Sequence, residues 1–298
     1  MRTLSINKKE VQIPSNWNEL SPEQVLRICT IYNNGGDVAT IKVLILLCLT
    51  GITITGKDHA TRPGVYQVEF KGEKILIDVK DIAHIAEQAT SFILVKHSPK
   101  GKQPFFTVSS RLIKNPIPTV NGLCGPSDAL GNITWAEFCA AQNAYANYAN
   151  TKHIMHLHKL IAILWRKPVD GLKVGAENYT GDLRQPYNDF TVDTNAARIN
   201  NTFRANQLTA ALLFYEGCLG YIIKEYPELF KNNGTPSKTK GDVFKNMLRL
   251  TLAAADNSEV KMKEVFDDPA HQVLFAVNEA IAQNKKMEEE LKSKRHAA

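Results

Sequence analysis

The stretch NPIPTVNGLCGPSDALGN, Asn115 to Asn132, holds three prolines and three glycines within 18 residues. Proline lacks the N–H that a helix interior or central strand must donate, and glycine raises the entropy cost of ordering the backbone. No long helix or strand can run through such a segment. It therefore divides the chain into an N-terminal region (residues 1–115), a connector (116–133) and a C-terminal region (134–298).

The N-terminal region reads as mixed α and β. LSI and VQI, Leu4 to Ile6 and Val11 to Ile13, flank the polar turn NKKE and predict a small hairpin. Ser21 is then a good N-cap, Pro22 suits the first helical position, and Gln24 completes a capping box. Leu20 and Val25 form a hydrophobic staple, Val25, Ile28, Cys29 and Tyr32 a helical stripe, and Asn34-Gly35-Gly36 a stop. A second helix is expected from about Val38 to Thr50. VYQVEFKGEKILIDV, Val65 to Val79, reads as a β-hairpin turning at Lys71-Gly72-Glu73. Asp81 to Gln88 is read as a helix, and FILV and FFTV as short strands.

The C-terminal region reads as helical. Thr134 repeats the capping chemistry of Ser21, with Glu137 expected to close the box and Ile133 and Phe138 the staple. Helical spacing then runs from Trp135 to about Trp165. Its two apolar stripes, Phe138-Ala141-Tyr145-Tyr148 and Ile154-Leu157-Ile161-Leu164, are offset by about 120° at the ideal period. A break near Asn150-Thr151 follows. Residues 169–200 are polar and read as irregular. Leu208, Leu212, Tyr215, Leu219, Ile222 and Tyr226 form a 4-3-4-3-4 stripe. KNNGTPSKTKGD reads as a loop, Val243 to Ala254 as a short amphipathic helix, and Asp268-Pro269 as the start of a last helix whose end is polar. The expected fold class is α+β, predominantly α-helical: small N-terminal β-hairpins with helices, followed by a C-terminal helical bundle with a polar tail.

Composition narrows the function classes. Hydrophobic residues make up 44% and charged residues 22%, which suits a globular chain. The net charge of +6 is spread over short lysine groups, without the dense basic clusters and interleaved aromatics of a nucleic-acid surface. The longest apolar run, Ile41 to Ile52, is about half a membrane span. The N-terminus lacks the apolar core of a signal peptide. Five widely spaced cysteines form no CxxC and predict free thiols in a reducing compartment.

The densest candidate chemistry is TKHIMHLHKLIAILWRKP, with His153, His156 and His158. On one helix His153 and His156 lie about 60° apart, whereas His158 is turned about 140° from His153, so the three cannot surround one ion. A metal-dependent enzyme using His153 and His156 stands as an alternative, but HxxH lacks the HExxH spacing. Phosphate-cradling loops and nucleophile elbows are missing from the sequence, so no cofactor and no enzymatic activity are expected. Trp17, Trp135, Tyr145 and Tyr148 suggest a partner-binding surface instead, together with His153 and His156. Tyrosine and tryptophan often anchor such surfaces.

Three segments resemble proteins of tailed phages. IPSNWNELSPEQVLRI resembles the IP-x-x-W-x-E-L-T/S opening of small proteins from phage and prophage tail modules. CGPSDALGNITWAEFCAAQNAYANYANT with LIAILWRKP resembles a central signature in a family of Bacteroidetes phage and prophage proteins. NMLRLTLAAADNSEVKMKEVFDDPAHQVLFAVNEA resembles their closing helices. The likeness spans about half the chain as spaced motifs. It implies a non-enzymatic tail-assembly chaperone or accessory factor in the host bacterial cytoplasm. The implied partners are other tail or virion proteins, a tape-measure protein among them. A structural virion component, tail or connector, is the alternative within the same resemblance.

Overall fold

The structure, a computed structural model, describes all residues except 7–8, 58–63, 71, 99–104, 231–242 and 297–298. It is α+β and mainly helical, with small antiparallel sheets towards the N-terminus. The chain forms two compact units. One comprises Met1–Ile117 and Ala205–Gly217, the other Pro118–Arg204 and Cys218–Ala298.

The first unit opens with β1 (Arg2–Ile6) and β2 (Lys9–Ile13), antiparallel, with Leu4 opposite Val11. Leu4, Val11 and Ile13 are all buried. The centre of the expected NKKE turn lies outside the described residues. Trp17 starts a single 3-10 turn and is 1% exposed. Its indole N–H donates to the Ser109 carbonyl at 2.7 Å, and Asn18 Oδ1 accepts from the Ile113 N–H at 2.8 Å. Two adjacent residues thus fix a segment more than ninety positions away.

α1 (Pro22–Asn34) begins with the expected Ser21–Gln24 capping box, both halves formed. Val25, Ile28 and Cys29 are buried, while Tyr32 at the end of the stripe is exposed. α2 (Val38–Thr50) starts at an Asp37 N-cap and stops at Gly51, whose φ of 70° favours glycine. The hairpin expected at 65–79 is present as β4 (Val65–Phe70) and β5 (Glu73–Asp78). It is joined by a strand the sequence pattern did not single out, β3 (Thr53–Lys57), with a register shift between Ile54 and Gly56. Thr53, Ile54 and Thr55 are exposed, so no alternation of burial marks the strand. α3 (Val79–Thr90) packs on α2. FFTV is β7 (Phe105–Val108), but of FILV only Leu94 and Val95 enter β6 (Leu94–His97), with Phe92 and Ile93 in the preceding turn; the two strands pair antiparallel.

The second unit begins inside the connector. β8 (Thr119–Val120) and β9 (Leu123–Cys124) form a hairpin across Asn121-Gly122, whose φ values of 45° and 80° match a type I′ turn. The long C-terminal helical pattern is divided as its offset stripes require. α4 (Trp135–Thr151) and α5 (Ile154–Leu164) meet at Lys152, which adopts a left-handed φ of 55°. The polar stretch 169–200 departs from its irregular expectation, because it ends in α6 (Asp189–Thr202). Only Val192, Ala196 and Ile199 of this helix are buried, a stripe too narrow to stand out among Asn, Asp and Thr.

α7 (Ala205–Glu225) belongs to the first unit up to Gly217 and to the second from Cys218. Its buried set is broader than the expected stripe. Leu213, Phe214 and Cys218 are interior, while Leu208, Leu212 and Leu219 are half-buried. α8 (Pro227–Phe230), α9 (Val243–Ala254), α10 (Glu259–Asp267) and α11 (Ala270–His296) complete the second unit. The loop expected at KNNGTPSKTKGD lies outside the described residues. α9, α10 and α11 all pack against α4. Trp135 is 1% exposed, stacks on Phe138 with ring centroids 5.5 Å apart, and donates its N–H to Thr251 Oγ1 at 2.8 Å.

Candidate functional site

The residues singled out in the sequence separate into two groups. Trp17 and Trp135 are interior, each with its indole N–H bonded inside its own unit. Tyr145 and Tyr148 are half-buried on α4, and His153, Ile154 and Met155 are exposed at the elbow that follows. The His153 and His156 rings meet edge to face at 6.0 Å, and Lys152 Nζ lies 5.5 Å from the centre of the Tyr148 ring. Ile154 is 48% exposed although its spacing placed it on the buried stripe. The elbow explains this. His153 is the N-cap of α5, so Ile154 occupies the first helical position, before the helix reaches the core.

His158 does the reverse. It is 5% exposed, and its Nε2 has no hydrogen-bond partner. Burial lowers its pKa from the ordinary histidine value. His158 thus sits inside while His153 and His156 stay at the surface. Among the described residues, no group of three or more His, Cys, Asp or Glu side chains is placed to hold a metal ion.

The most concentrated chemistry in the second unit is a buried charge network that the sequence pattern did not reveal. Thr134 caps α4 by accepting from the Glu137 N–H at 3.3 Å, as expected. The Glu137 side chain does not close the capping box. It turns inward, 2% exposed, and its two oxygens accept from Arg166 Nη2 at 2.7 Å and Arg184 Nη2 at 3.1 Å. Asp182 accepts from Arg184 Nε at 2.9 Å and Nη2 at 2.7 Å. The remaining guanidinium N–H groups reach carbonyls. Arg166 donates to Gln185 and Ile163, and Arg184 to Leu164 and Asn132. Two arginines face two carboxylates, so the cluster is formally neutral. Burial weakens the hold of Arg166 on its proton, and the charge of Glu137 opposes that.

This network organises backbone. Leu183 O accepts from Val169 N at 2.8 Å, Lys167 O accepts from Gln185 N at 2.8 Å, and Cys124 and Arg166 exchange both bonds of an antiparallel bridge. An otherwise irregular segment is thereby tied to α4 and α5. A cleft of about 890 Å³ opens over the network, bordered by Ser127, Asn178, Thr180 and Asp182 as well as Ile133, Val169 and Leu172. With its donors satisfied and its charges paired, the network is suited to holding structure rather than to moving protons. An Arg and a Glu 29 positions apart carry no sequence signature, because only the fold makes them neighbours.

A second concentration lies where the connector meets α11. Ala129 and Leu130 have φ values of 53° and 61°, a left-handed pair without glycine. His271 Nε2 donates to the Ala129 carbonyl at 2.9 Å, which leaves Nδ1 to accept from the Tyr226 hydroxyl at 2.8 Å. Cys218 is buried beside this turn, and burial pushes its thiol well above the usual range.

Comparison with family models, with curated proteins and with solved structures gave no match. Among the described residues, no helix is long and apolar enough to cross a membrane.

Proposed function

We propose that the protein is an assembly factor of a phage or prophage tail module. In this reading it is a tail-assembly chaperone or accessory protein, works without catalysis, and holds a partner through exposed helical surface. The sequence motifs supply the resemblance. The supporting observation is the elbow between α4 and α5. There Ile154 and Met155 are exposed beside Tyr148, His153 and His156, and Lys152 holds a left-handed backbone conformation. A chain that keeps aliphatic and aromatic side chains at such a point gains from covering them with a partner. The partners would be other tail or virion proteins, a long helical tape-measure protein among them, met in the host bacterial cytoplasm.

The test is co-purification from infected or induced cells under mild conditions, with bound proteins identified by mass spectrometry. Tail proteins are expected with the wild type and are expected to be lost from an Ile154→Asp/Met155→Asp variant. Absence of any tail protein from the wild-type eluate refutes the proposal. Stoichiometric recovery of the protein in purified particles would assign it to the virion instead.

A further inference from the structure

A pocket of about 360 Å³ lies between the β8–β9 turn, the segment that follows α5, and α6, all within the second unit. Its walls carry Arg166, Lys167 and Arg198 and no aspartate or glutamate. Arg166 is already matched, because Glu137 accepts from its Nη2 at 2.7 Å inside the formally neutral cluster. Lys167 and Arg198 are exposed, and neither side chain has an ion pair or hydrogen bond among the described residues. The pocket thus holds a surplus of two positive charges on a concave surface, where their field is focused. The rest of the lining is divided. Leu123, Trp165 and Ile199 are apolar, while Gln185 and Asn195 offer side-chain amides. The walls are braced before anything binds. Asn121 Nδ2 donates to the Thr202 carbonyl at 2.6 Å and joins the turn to α6, and Arg166 Nε donates to the Gln185 carbonyl at 2.7 Å.

We propose that this pocket binds a small phosphomonoester, a sugar phosphate or a nucleoside monophosphate. Lys167 and Arg198 hold the phosphate, and the organic body lies against Leu123 and Ile199. The charge decides the class. A phosphomonoester carries about −1.5 to −2 at pH 7, which matches two free cations, whereas a single carboxylate would leave one of them unmatched. Arginine offers such oxygens a bidentate fork, and lysine a point charge. The volume is at the small end of ligand pockets, roughly 300–1,000 Å³, which suits one sugar or nucleoside rather than a polymer. Fixed walls spare the ligand the cost of ordering them. Lys167 and Arg198 come together only through the fold, so no phosphate-loop pattern marks the site in the sequence. The pocket shares no residue with the elbow between α4 and α5, and the inference does not depend on the proposed function.

Isothermal titration calorimetry of the full chain tests it, with AMP, ribose 5-phosphate, inorganic phosphate and adenosine as probes. At least one of the two esters is expected to bind with a Kd below about 1 mM, and at least about 10-fold more tightly than inorganic phosphate or adenosine. Tighter binding of AMP than of ribose 5-phosphate assigns a nucleotide; otherwise the ligand is a sugar phosphate. Lys167→Gln and Arg198→Gln should each weaken the ester about 10-fold or more, because each removes a charge-assisted contact. Lys173→Gln removes an exposed lysine outside the pocket and should change nothing. Asn195→Trp keeps both cations but fills the pocket from α6, and should abolish binding while far-UV circular dichroism stays that of the wild type. If that substitution perturbs the fold, the variants of the two exposed cations carry the test. Failure of both esters to bind up to about 10 mM overturns the proposal. So does inorganic phosphate or adenosine bound as tightly as either ester. Ester binding indifferent to Lys167→Gln and Arg198→Gln, or weakened equally by Lys173→Gln, overturns it too.

Discussion

Two glycines three residues apart in α7 should respond to alanine in opposite directions. A Cβ added at Gly217 would meet the backbone of Leu112, 2.3 Å from its carbonyl oxygen and 2.5 Å from its nitrogen. Both obstacles are main chain, and Leu112 is itself 2% exposed, so neither side can swing aside. Overpacking costs about 1–3 kcal/mol, and a clash against main chain belongs at the upper end of that range, while the helix-propensity gain is about 1 kcal/mol. Gly217→Ala should therefore destabilise the first unit by about 2 kcal/mol. At Gly220 nothing lies within 4 Å of the added methyl and the position is exposed. Gly220→Ala should add up to about 1 kcal/mol to the second unit. Urea denaturation followed by circular dichroism measures both, with each transition fitted separately if the two units unfold apart. A Gly217→Ala protein at least as stable as the wild type would refute the close approach and the reasoning built on it.

Three further outcomes follow from the interior of the molecule. Glu137→Gln should destabilise the second unit by about 3–5 kcal/mol in urea denaturation, because Arg166 and Arg184 lose their shared countercharge while remaining buried. His158 is held neutral in the folded chain, and the unfolded chain takes up its proton below about pH 6.5. Stability should thus be insensitive to this group above about pH 7 and fall as the pH drops through 6.5 towards the depressed folded value. His158→Phe should abolish that part of the acid sensitivity in urea midpoints compared at pH 8 and pH 5.5. Burial raises the thiols of Cys29 and Cys139 to about 12, and that of Cys218 further still. In a thiol-reagent titration the buried Cys29 and Cys218 should react only on unfolding, while the partly exposed Cys139 reacts in the folded protein, after Cys48 and Cys124.

The parts legible in the sequence were those fixed by local rules. The Ser21 capping box, the span of α2, the 65–79 hairpin and the division between α4 and α5 each follow from spacing and cap chemistry within a few residues. The parts that escaped depend on distant partners. β3 has no buried face of its own and exists through pairing with β4. α6 buries three residues per fourteen and is made mostly of polar residues with low helix propensity. Glu137 resembles the closing member of a capping box, yet two buried guanidinium groups outbid one backbone N–H for its carboxylate. Of the surface residues marked in advance, Tyr148, His153 and His156 gather at one elbow. Trp17 and Trp135 belong to the interior, because an indole that finds an acceptor can be buried whole. Phe190, 96% exposed in the first turn of α6, drew no notice in the sequence, since nothing in its neighbours marks a phenylalanine as exposed.

The arginine clamp also decides where the chain can be opened. Residues 169–187 contain no regular element, and a sequence-based choice of site for a tag or an inserted domain would fall there. Between Asp182 and Gln185 an insertion would pull Arg184 off Glu137 and the Leu164 carbonyl, and the damage would spread to the ends of α4 and α5. Gly171 to Gly175 is different. It is solvent-facing apart from Leu172 and contributes no group to the clamp, so the same insertion there should leave the helices folded. Within one apparently uniform loop, tolerance to added sequence should change from permissive to lethal for the fold over about ten residues.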